Sequence, residues 1–503
     1  MNSFDKVMAW LNTTVAWLND QLSWVLIVLI IAAGVVFTIW TRGVQFRKLG
    51  TMFRVALDSR TGAGDGISSF QAFCISLASR VGTGAIAGVA IALALGGPGA
   101  VFWMWLMAFL GMATAFVEAT LAQLYKVPHT DGTFRGGPAY YMQRGMKNRP
   151  MGMVFAIFLI FTFGFAFQMV QANTIAAVFD KSFHISPSVT AIFLAVATGA
   201  VVLGGVKSVA KVTEWMAPIM ALAYVLLAVA VIVLNIDEVP AALANIVKGA
   251  FGLDQALAGV GGGLAATVLN GIKRGLYANE AGMGSAPNAA AAATTSHPAH
   301  QGLIQSLGVF IDSMLVCTAT AVVILLSDAS IYTPGVTTKA QAGATLTQDA
   351  MMYSLGTWVG LVFTVLVFVF AFSTLIGNET YAEINMDFLR GGRAGELAIR
   401  LMTIGSAALG AVLALDFVWS LADVAMTLMA ITNLIALVFL GRYAVATMRD
   451  FESHPDPITA QFNLDNNPFM QDDIPGEVWH KRPGHEAGKW FHPSGEDALT
   501  TTD

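Results

Sequence analysis

Long apolar runs, separated by short polar connections, recur along this 503-residue chain. A membrane-spanning helix needs about 20 mainly apolar residues, and by that measure about eleven stretches qualify. They lie near residues 24–41, 69–95, 99–124, 152–179, 188–206, 213–235, 260–291, 302–327, 354–377, 397–415 and 417–445. Two of them are interrupted by glycine where a helix should run straight through. The first reads Ser79-Arg80-Val81-Gly82-Thr83-Gly84-Ala85-Ile86-Ala87-Gly88. The second reads Asn279-Glu280-Ala281-Gly282-Met283-Gly284-Ser285-Ala286-Pro287-Asn288. Lipid offers the backbone no hydrogen-bond partner, so a break is tolerated only where it is buried in protein or lines a polar cavity. Such a pair at matching places in two halves points to the binding site of a secondary transporter.

With the first helix set aside, ten spans remain, and the broken helices open each group of five. An odd number of crossings per repeat inverts the second copy in the membrane. The expected organisation is therefore an N-terminal helix and loop (1–60), a first five-helix repeat (61–240), a second (241–448) and a soluble tail (449–503). The tail is rich in Asp, Glu, Pro, Asn and His, a composition expected to be poorly ordered.

Composition and charge sharpen this picture. The chain is 56% hydrophobic and 12% charged, with a mean hydropathy of +0.65. A soluble domain carries about 25% charged residues, so a soluble class is excluded. Arg42, Arg47, Lys48, Arg54 and Arg60 share one face with Lys126, Arg135, Arg144, Lys147 and Arg149 when eleven spans are threaded. Lys207, Lys211, Arg390, Arg393, Arg442 and Arg449 fall on the same face. The opposite face carries Asp237, Glu238, Asp254, Asp328, Lys339 and Asp349. The positive-inside rule then predicts an outside N-terminus and a cytoplasmic C-terminus in a bacterial inner membrane. The net charge of −5 comes with no basic run, so nucleic acid is not an expected partner. Cys74 and Cys317 both lie in apolar runs, which argues against a disulfide or a metal site. Neither G-x-S-x-G nor H-E-x-x-H occurs, and no cluster has metal-ligand spacing, so neither an enzyme nor a cofactor is expected.

Several polar positions stand out at membrane depth. At Gly82-Thr83-Gly84 the backbone can leave α geometry cheaply. Freed N–H groups at a half-helix start suit a carboxylate, and freed carbonyls at the other end suit Na⁺. Gly84 and Gly88 also fit the small-xxx-small spacing of plain helix packing. Asn270, Lys273, Arg274, Asn279, Glu280, Ser285 and Asn288 crowd one apolar stretch, and ionisable groups there are expensive and usually functional. Glu280 could pair with Lys273 or Arg274 as a gate, or with Arg80 across the repeats. Gln168, Gln171 and Asn173 could bind substrate or a neighbouring helix. Ser373 and Thr374 could complete a Na⁺ shell, or bond back to the i−4 carbonyl. Glu118 and Asp312 are lone acids that could relay protons or pair with Arg80. His297 and His300 are expected in a cytoplasmic loop.

At these positions the chain resembles the alanine or glycine:cation symporter family, the sodium:alanine symporters. The resemblance is carried by Val81-Gly82-Thr83-Gly84 with Ile86-Ala87-Gly88-Val89-Ala90, and by Gly96-Gly97-Pro98-Gly99-Ala100-Val101-Phe102-Trp103-Met104-Trp105. Phe134-Arg135-Gly136-Gly137-Pro138-Ala139-Tyr140-Tyr141-Met142 and the run from Asn279 to Ala291 match too, so that the likeness covers residues 20–445. It implies an all-α membrane protein with a leucine-transporter-like fold of two inverted five-helix repeats after one extra helix. It implies a monomer that uses alternating access and Na⁺-driven symport of a small neutral amino acid, alanine or glycine. By that analogy sodium is held at Ser79, Gly82, Phe370, Ser373 and Thr374. Substrate lies among Gly82, Thr83, Gly84, Ala85, Gln171, Ala281, Gly282, Met283 and Gly284. Arg80, Glu280, Lys273 and Arg274 are the gating or ion-pair candidates. The family's amide contact maps onto Gln171 rather than Gln168. Two positions depart from the pattern: Ala85 stands where the family usually has Asn, and Asn378 where it often has Trp. These departures open the alternatives of a larger neutral amino acid, such as glutamine, or of proton coupling. An ion channel is a more remote alternative, since no pore-lining repeat is evident.

Overall fold

Helices carry most of the described residues, as a backbone that must satisfy itself within lipid requires. The computed structural model describes residues 3–60, 66–129, 132–202, 205–252, 263–339, 341–465, 467–470, 474–476 and 478–480. Asp254, the side chain of Lys207 and the far tail from 481 lie outside the described residues. The elements used below are α1 (Ser3–Trp40), α2 (Ser69–Arg80), α3 (Val89–Gly96), α4 (Gly99–Leu124), α5 (Arg149–Phe183), α6 (Pro187–Val202), α7 (Gly205–Leu234), α8 (Val239–Ala250), α9 (Gly263–Asn279), α10 (Ala286–Ala292), α11 (Pro298–Leu325), α12 (Ala344–Leu355), α13 (Val359–Phe388), α14 (Gly392–Val412) and α15 (Leu415–Ser453).

Among the described residues, eight helices are long and apolar enough to cross a membrane. A ninth span is α2 with the stretch Gly84–Gly96, bent by 44° at the first glycine break. All eleven stretches expected from hydropathy fall on helices, but two are not full-length spans. α6 is a shorter apolar helix, and the second broken segment is the 17-residue α9 followed by the 7-residue α10. The first span also begins earlier than expected, covering Trp10–Trp40.

Local sequence explains where the broken helices start and stop. Ser68 and Gln71 form a reciprocal capping box that opens α2: Gln71 N–H donates to Ser68 Oγ (3.1 Å) and Ser68 N–H to Gln71 Oε1 (3.0 Å). α9 ends where Glu280, Gly282 and Gly284 take positive φ values of 57°, 95° and 84°. Glycine carries no steric penalty there. Glycines also let the broken helix approach its neighbour closely: a Cβ on Gly271 would run into the Ala100 carbonyl, and one on Gly275 would come within 3.1 Å of Met107. α9 thus lies directly against α4.

The two halves meet again at the basic end of the molecule. Ile67, just before α2, makes a parallel bridge with Ala293, just after α10, and Thr294 N–H donates to the Ile67 carbonyl (2.9 Å). Lys126 Nζ and Gln123 Nε2 both donate to the Ala293 carbonyl, at 2.9 and 3.1 Å.

The tail corrects its sequence reading. Its first part is docked, not loose: Ala460, Phe462, Ile474 and Trp479 are all buried. Phe462 N–H donates to the Ser296 carbonyl, Ser296 Oγ to the Ala460 carbonyl, and Trp479 Nε1 to the Gln123 carbonyl (2.9, 2.9 and 2.8 Å). Lys126 Nζ lies 5.0 Å from the Trp479 ring. A few apolar side chains suffice to anchor a segment whose average composition reads as solvated. The histidines expected in a loop are buried as well. His297 caps α11, its Nδ1 accepting the Ala299 N–H (3.1 Å), while its Nε2 faces Asp450 Oδ2 (3.0 Å).

Burial, partly offset by the Asp450 bond, holds the His297 imidazole below its usual range. A base whose pKa is depressed by folding gives full stability above its unfolded value and loses it as pH falls. We therefore expect the melting temperature of the full chain to drop as pH is lowered from about 7 to 5, across the unfolded value near 6.5. The His297→Asn variant keeps a capping oxygen but does not titrate. It should show a flatter profile, and equal slopes in the two proteins would contradict this role.

Candidate functional site

The first break is built against α13. Thr374 Oγ1 donates to the Ala78 carbonyl (2.7 Å) and lies 3.0 Å from the Phe370 carbonyl. Ser373 Oγ lies 2.9 Å from that same carbonyl and 3.4 Å from Met220 Sδ on α7. Gly82 is packed so tightly on this hydroxyl that a Cβ there would overlap Thr374 Oγ1. The carbonyls of Ala78 and Phe370 and two hydroxyls are thereby gathered at one spot. The set is all oxygen apart from the nearby sulfur, which suits a hard cation. The Ser79 side chain turns toward the second break. Its Oγ lies 2.7 Å from Glu280 Oε1 and 2.9 Å from Asn378 Oδ1. One hydroxyl hydrogen cannot serve both acceptors. Rotating the Asn378 amide, whose Nδ2 is without a partner, would let it donate to Ser79.

A chain of aromatic rings covers the far side of the first break. Phe167 on α5 packs on Tyr277 with ring centres 4.5 Å apart, and Tyr277 on Trp419 at 4.8 Å. A Cβ on Gly84 would come within 2.9 Å of the Tyr277 ring, so the break lies directly beneath it. Gln171, one turn beyond Phe167, is buried and its Oε1 has no hydrogen-bond partner. Gln168 Nε2 instead donates to the Leu375 carbonyl (3.0 Å), and Asn173 Nδ2 to the carbonyls of Gly410 and Leu413 (3.1 and 2.8 Å). The acceptor oxygens of Gln168 and Gln171 are both unbonded, but Gln168 is already tied to α13 through its Nε2, and Asn173 ties helices together. The Ala85 carbonyl accepts Thr320 Oγ1 (2.7 Å), and Thr83 is buried with the Tyr277 hydroxyl beside it.

The second break is held by the protein itself. Gly282 N–H donates to Glu118 Oε2 (3.0 Å), and Ala281 N–H to Asn279 Oδ1 (3.0 Å). Met283 N–H donates to the Glu280 carbonyl (3.2 Å). Asn433 Nδ2 donates to the Gly282 carbonyl (3.0 Å) and to Glu118 Oε1, and Tyr141 Oη bonds Asn433 Oδ1. The amides of Ala281, Gly282 and Met283, expected to face substrate, are therefore engaged in this conformation. The lone acid Glu118 is the clamp that engages one of them. Asn433 and Tyr141 were not singled out, although an amide in the last apolar run was a visible signal.

The ion pairs differ from those expected. Among the described residues Glu280 pairs with no cation: its two oxygens accept Ser79 Oγ and Ser285 Oγ (2.6 Å for the latter). Lys273 and Arg274 both turn to Asp423 on α15, Lys273 at 3.4 Å and Arg274 through its Nη2. Lys273 Nζ also reaches Asn19 on α1 (2.7 Å). Arg80 Nη1 donates to the Gln305 carbonyl (3.0 Å), with Nε and Nη2 unbonded. Asp312 lies in a π-helical stretch, Phe310–Cys317, with its Oδ1 unbonded.

One further cluster has metal-like proximity. Ligand atoms of His297, Asp450 and His454 lie within 4.8 Å of one another. His297 Nδ1 already accepts a backbone N–H, so the neutral ring carries its proton on Nε2, facing Asp450. That nitrogen has no lone pair to give, and the cluster reads as a hydrogen-bonded hinge rather than a metal site.

Two expectations follow from this geometry. Overpacking costs about 1–3 kcal/mol, so Gly82→Ala should lower the melting temperature. Adding Thr374→Ala removes the colliding oxygen and should recover part of that loss. Asp423→Asn strands two buried cations, a change that costs about 3–5 kcal/mol. A melting temperature unmoved by that variant would mean the pairs are not buried in the working protein.

The sodium:alanine symporter family model matches residues 8–461. The chain is 44% identical over 447 residues to the probable sodium/glutamine symporter GlnT of Bacillus subtilis, covering 88% of this chain and 91% of that one. It is 44% identical to the amino-acid carrier protein AlsT of the same organism, over 90% and 94% of the two chains. It is 37% identical to the sodium/alanine symporter AgcS of Methanococcus maripaludis, over 85% and 94%. Among solved structures, MhsT in complex with L-phenylalanine superimposes with a TM-score of 0.52 at 12% identity, covering 75% of this chain and 95% of that one. This likeness speaks for the fold alone, and it is the leucine-transporter-like fold.

Proposed function

The chain belongs to the sodium:alanine symporter family, and from that premise we propose which groups couple sodium to amino-acid uptake. The protein is a secondary active transporter that brings a small neutral amino acid into the cell with Na⁺ by alternating access. The observation that carries the site assignment is Thr374 bridging α13 to the Ala78 carbonyl at the first break. Sodium takes the place of these hydroxyl–carbonyl hydrogen bonds, held by the carbonyl oxygens of Ala78 and Phe370 and the neutral hydroxyl oxygens of Ser373 and Thr374, whose hydrogens turn away from the ion. Ser79 contributes through the Glu280 network rather than by its hydroxyl on the ion.

The first half-helix end supplies the second ligand site. Amides at the start of the helical stretch after Thr83 have no partner one turn back, and they suit a substrate carboxylate. Gln171 Oε1 accepts from the substrate ammonium, and Tyr277 with Phe167 closes over the side chain. Sodium between α2 and α13 fixes the angle of the break, so ion and substrate favour the same closed conformation. Inward release then requires the Ile67–Ala293 bridge to open. The membrane potential adds about 2.3 kcal/mol per charge per 100 mV to this uptake. The basic face is cytoplasmic, with the C-terminus inside, in a bacterial inner membrane, and the working unit is the monomer.

A larger substrate is the second reading. It is favoured by Ala85, whose small side chain leaves room at the break, and by the likeness to a probable sodium/glutamine symporter. Labelled alanine uptake into proteoliposomes, with a sodium or a potassium gradient and with glycine, serine and glutamine as competitors, separates the two. Sodium-dependent uptake blocked by glycine supports alanine or glycine as substrate, and block by glutamine alone supports the larger one. In the same assay, Ser373→Ala and Thr374→Ala should each raise the sodium concentration for half-maximal uptake about fivefold to tenfold, the loss of one hydrogen-bond-strength ligand. An unchanged sodium dependence in both variants would remove them from the ion site.

A further inference from the structure

A groove of about 440 Å³ lies at the basic end of the molecule, away from both breaks, lined by Trp40, Arg442, Tyr443, Arg449, Phe469 and Met470 among others. Its walls come from the end of α1, the last turns of α15 and the docked tail. We propose that it binds the headgroup of an anionic phospholipid from the membrane leaflet on that side.

α15 presents an apolar stripe outward. Ile435, Val438 and Phe439 are exposed large apolar residues, 44%, 53% and 63% accessible, as a lipid-facing surface should be. Continuing at helical spacing of three and four, the same face reaches Arg442, Ala446 and Arg449. A stripe that changes from apolar to arginine along one face marks the level where hydrocarbon gives way to headgroups. α1 shows the same change: Val35 and Ile39 are exposed, Trp40 follows, and Arg42 comes next. Trp40 and Tyr443 are the amphipathic rings expected at that level. Arg47 pairs with Glu452 at 2.9 Å, which ties the chain just after α1 to the end of α15 and holds the two walls together.

The chemistry of the lining selects the occupant. Among the described residues, the lining of the groove carries two guanidinium groups and no acid. Arg442 stacks 4.8 Å from the Tyr443 ring centre and its Nη2 donates to the Tyr443 hydroxyl (2.8 Å), which fixes its direction. Phosphate suits such planar donors, and basic pockets between helices at this face of a membrane recognise anionic headgroups. Exposed apolar residues above the groove give the acyl chains a path that a free anion would not need. Phe469 and Met470 belong to the tail, so an occupied groove also fastens the tail to the membrane domain.

The test uses the full-length protein in vesicles of phosphatidylglycerol or of phosphatidylcholine, with the melting temperature as readout. Phosphatidylglycerol should raise the melting temperature above that in phosphatidylcholine. The Arg442→Gln/Arg449→Gln double variant should need about thirtyfold more phosphatidylglycerol for the same effect, roughly fivefold per arginine. Both residues lie on the exposed groove, and melting of the variant in phosphatidylcholine reports whether folding is intact. Arg442→Lys/Arg449→Lys should keep most of the response. The proposal is overturned if the double variant responds as the wild type does. It is equally overturned if inorganic phosphate in phosphatidylcholine vesicles reproduces the shift, because the groove would then be a site for free anions.

Discussion

The unwound stretch between α9 and α10 can exist inside a membrane only because Glu118 and Asn433 hold its backbone. Lipid supplies no donor or acceptor, so each freed amide must find one in the protein. Glu118 on α4 accepts the Gly282 N–H, and Asn433 on α15 donates to the Gly282 carbonyl. Two helices thereby fix the position of one tight turn. Tyr141 on the short helix Pro138–Arg144 adds a third element through Asn433.

The two breaks are consequently unequal. The second is closed upon itself, its polar groups answered by Asn279, Glu118, Asn433 and Ser285. The first touches a helix that supplies hydroxyls, and it lies under an aromatic cover. The second acts more as a rigid wall, whose shape depends on the Glu280 carboxylate held between Ser79 and Ser285. Asn378 joins that network where a large ring would not, so the position enters the electrostatics that link the halves.

A second linkage lies at the basic end. The start of α2 and the end of α10 are bridged directly, and the tail grips the same linker through Ser296 and the end of α4 through Gln123. Opening on that side must loosen contacts made by three separate parts of the chain. The tail is therefore part of the energetics of opening at that end, not an appendage.

Much of this protein was legible in its sequence, and the reason is the solvent. In a bilayer each polar or glycine position inside an apolar run carries a cost, so Gly82, Thr374, Gln171, Glu280 and Lys273 declare themselves along one dimension. The spans, the two breaks and the Ser373-Thr374 pair could be read this way, and the glycine-rich motifs identified the family. Pairing could not be read. Asp423 meets Lys273 and Arg274 from about 150 residues away, and Glu118 meets Gly282 from 164. No periodicity relates residues on different helices. Only the packed bundle chose Asp423 over Glu280 as the counter-charge, and set the Ala78 carbonyl against Thr374. The docked tail escaped for the opposite reason: its average polarity describes the surface it shows to water, while four buried side chains decide where it sits.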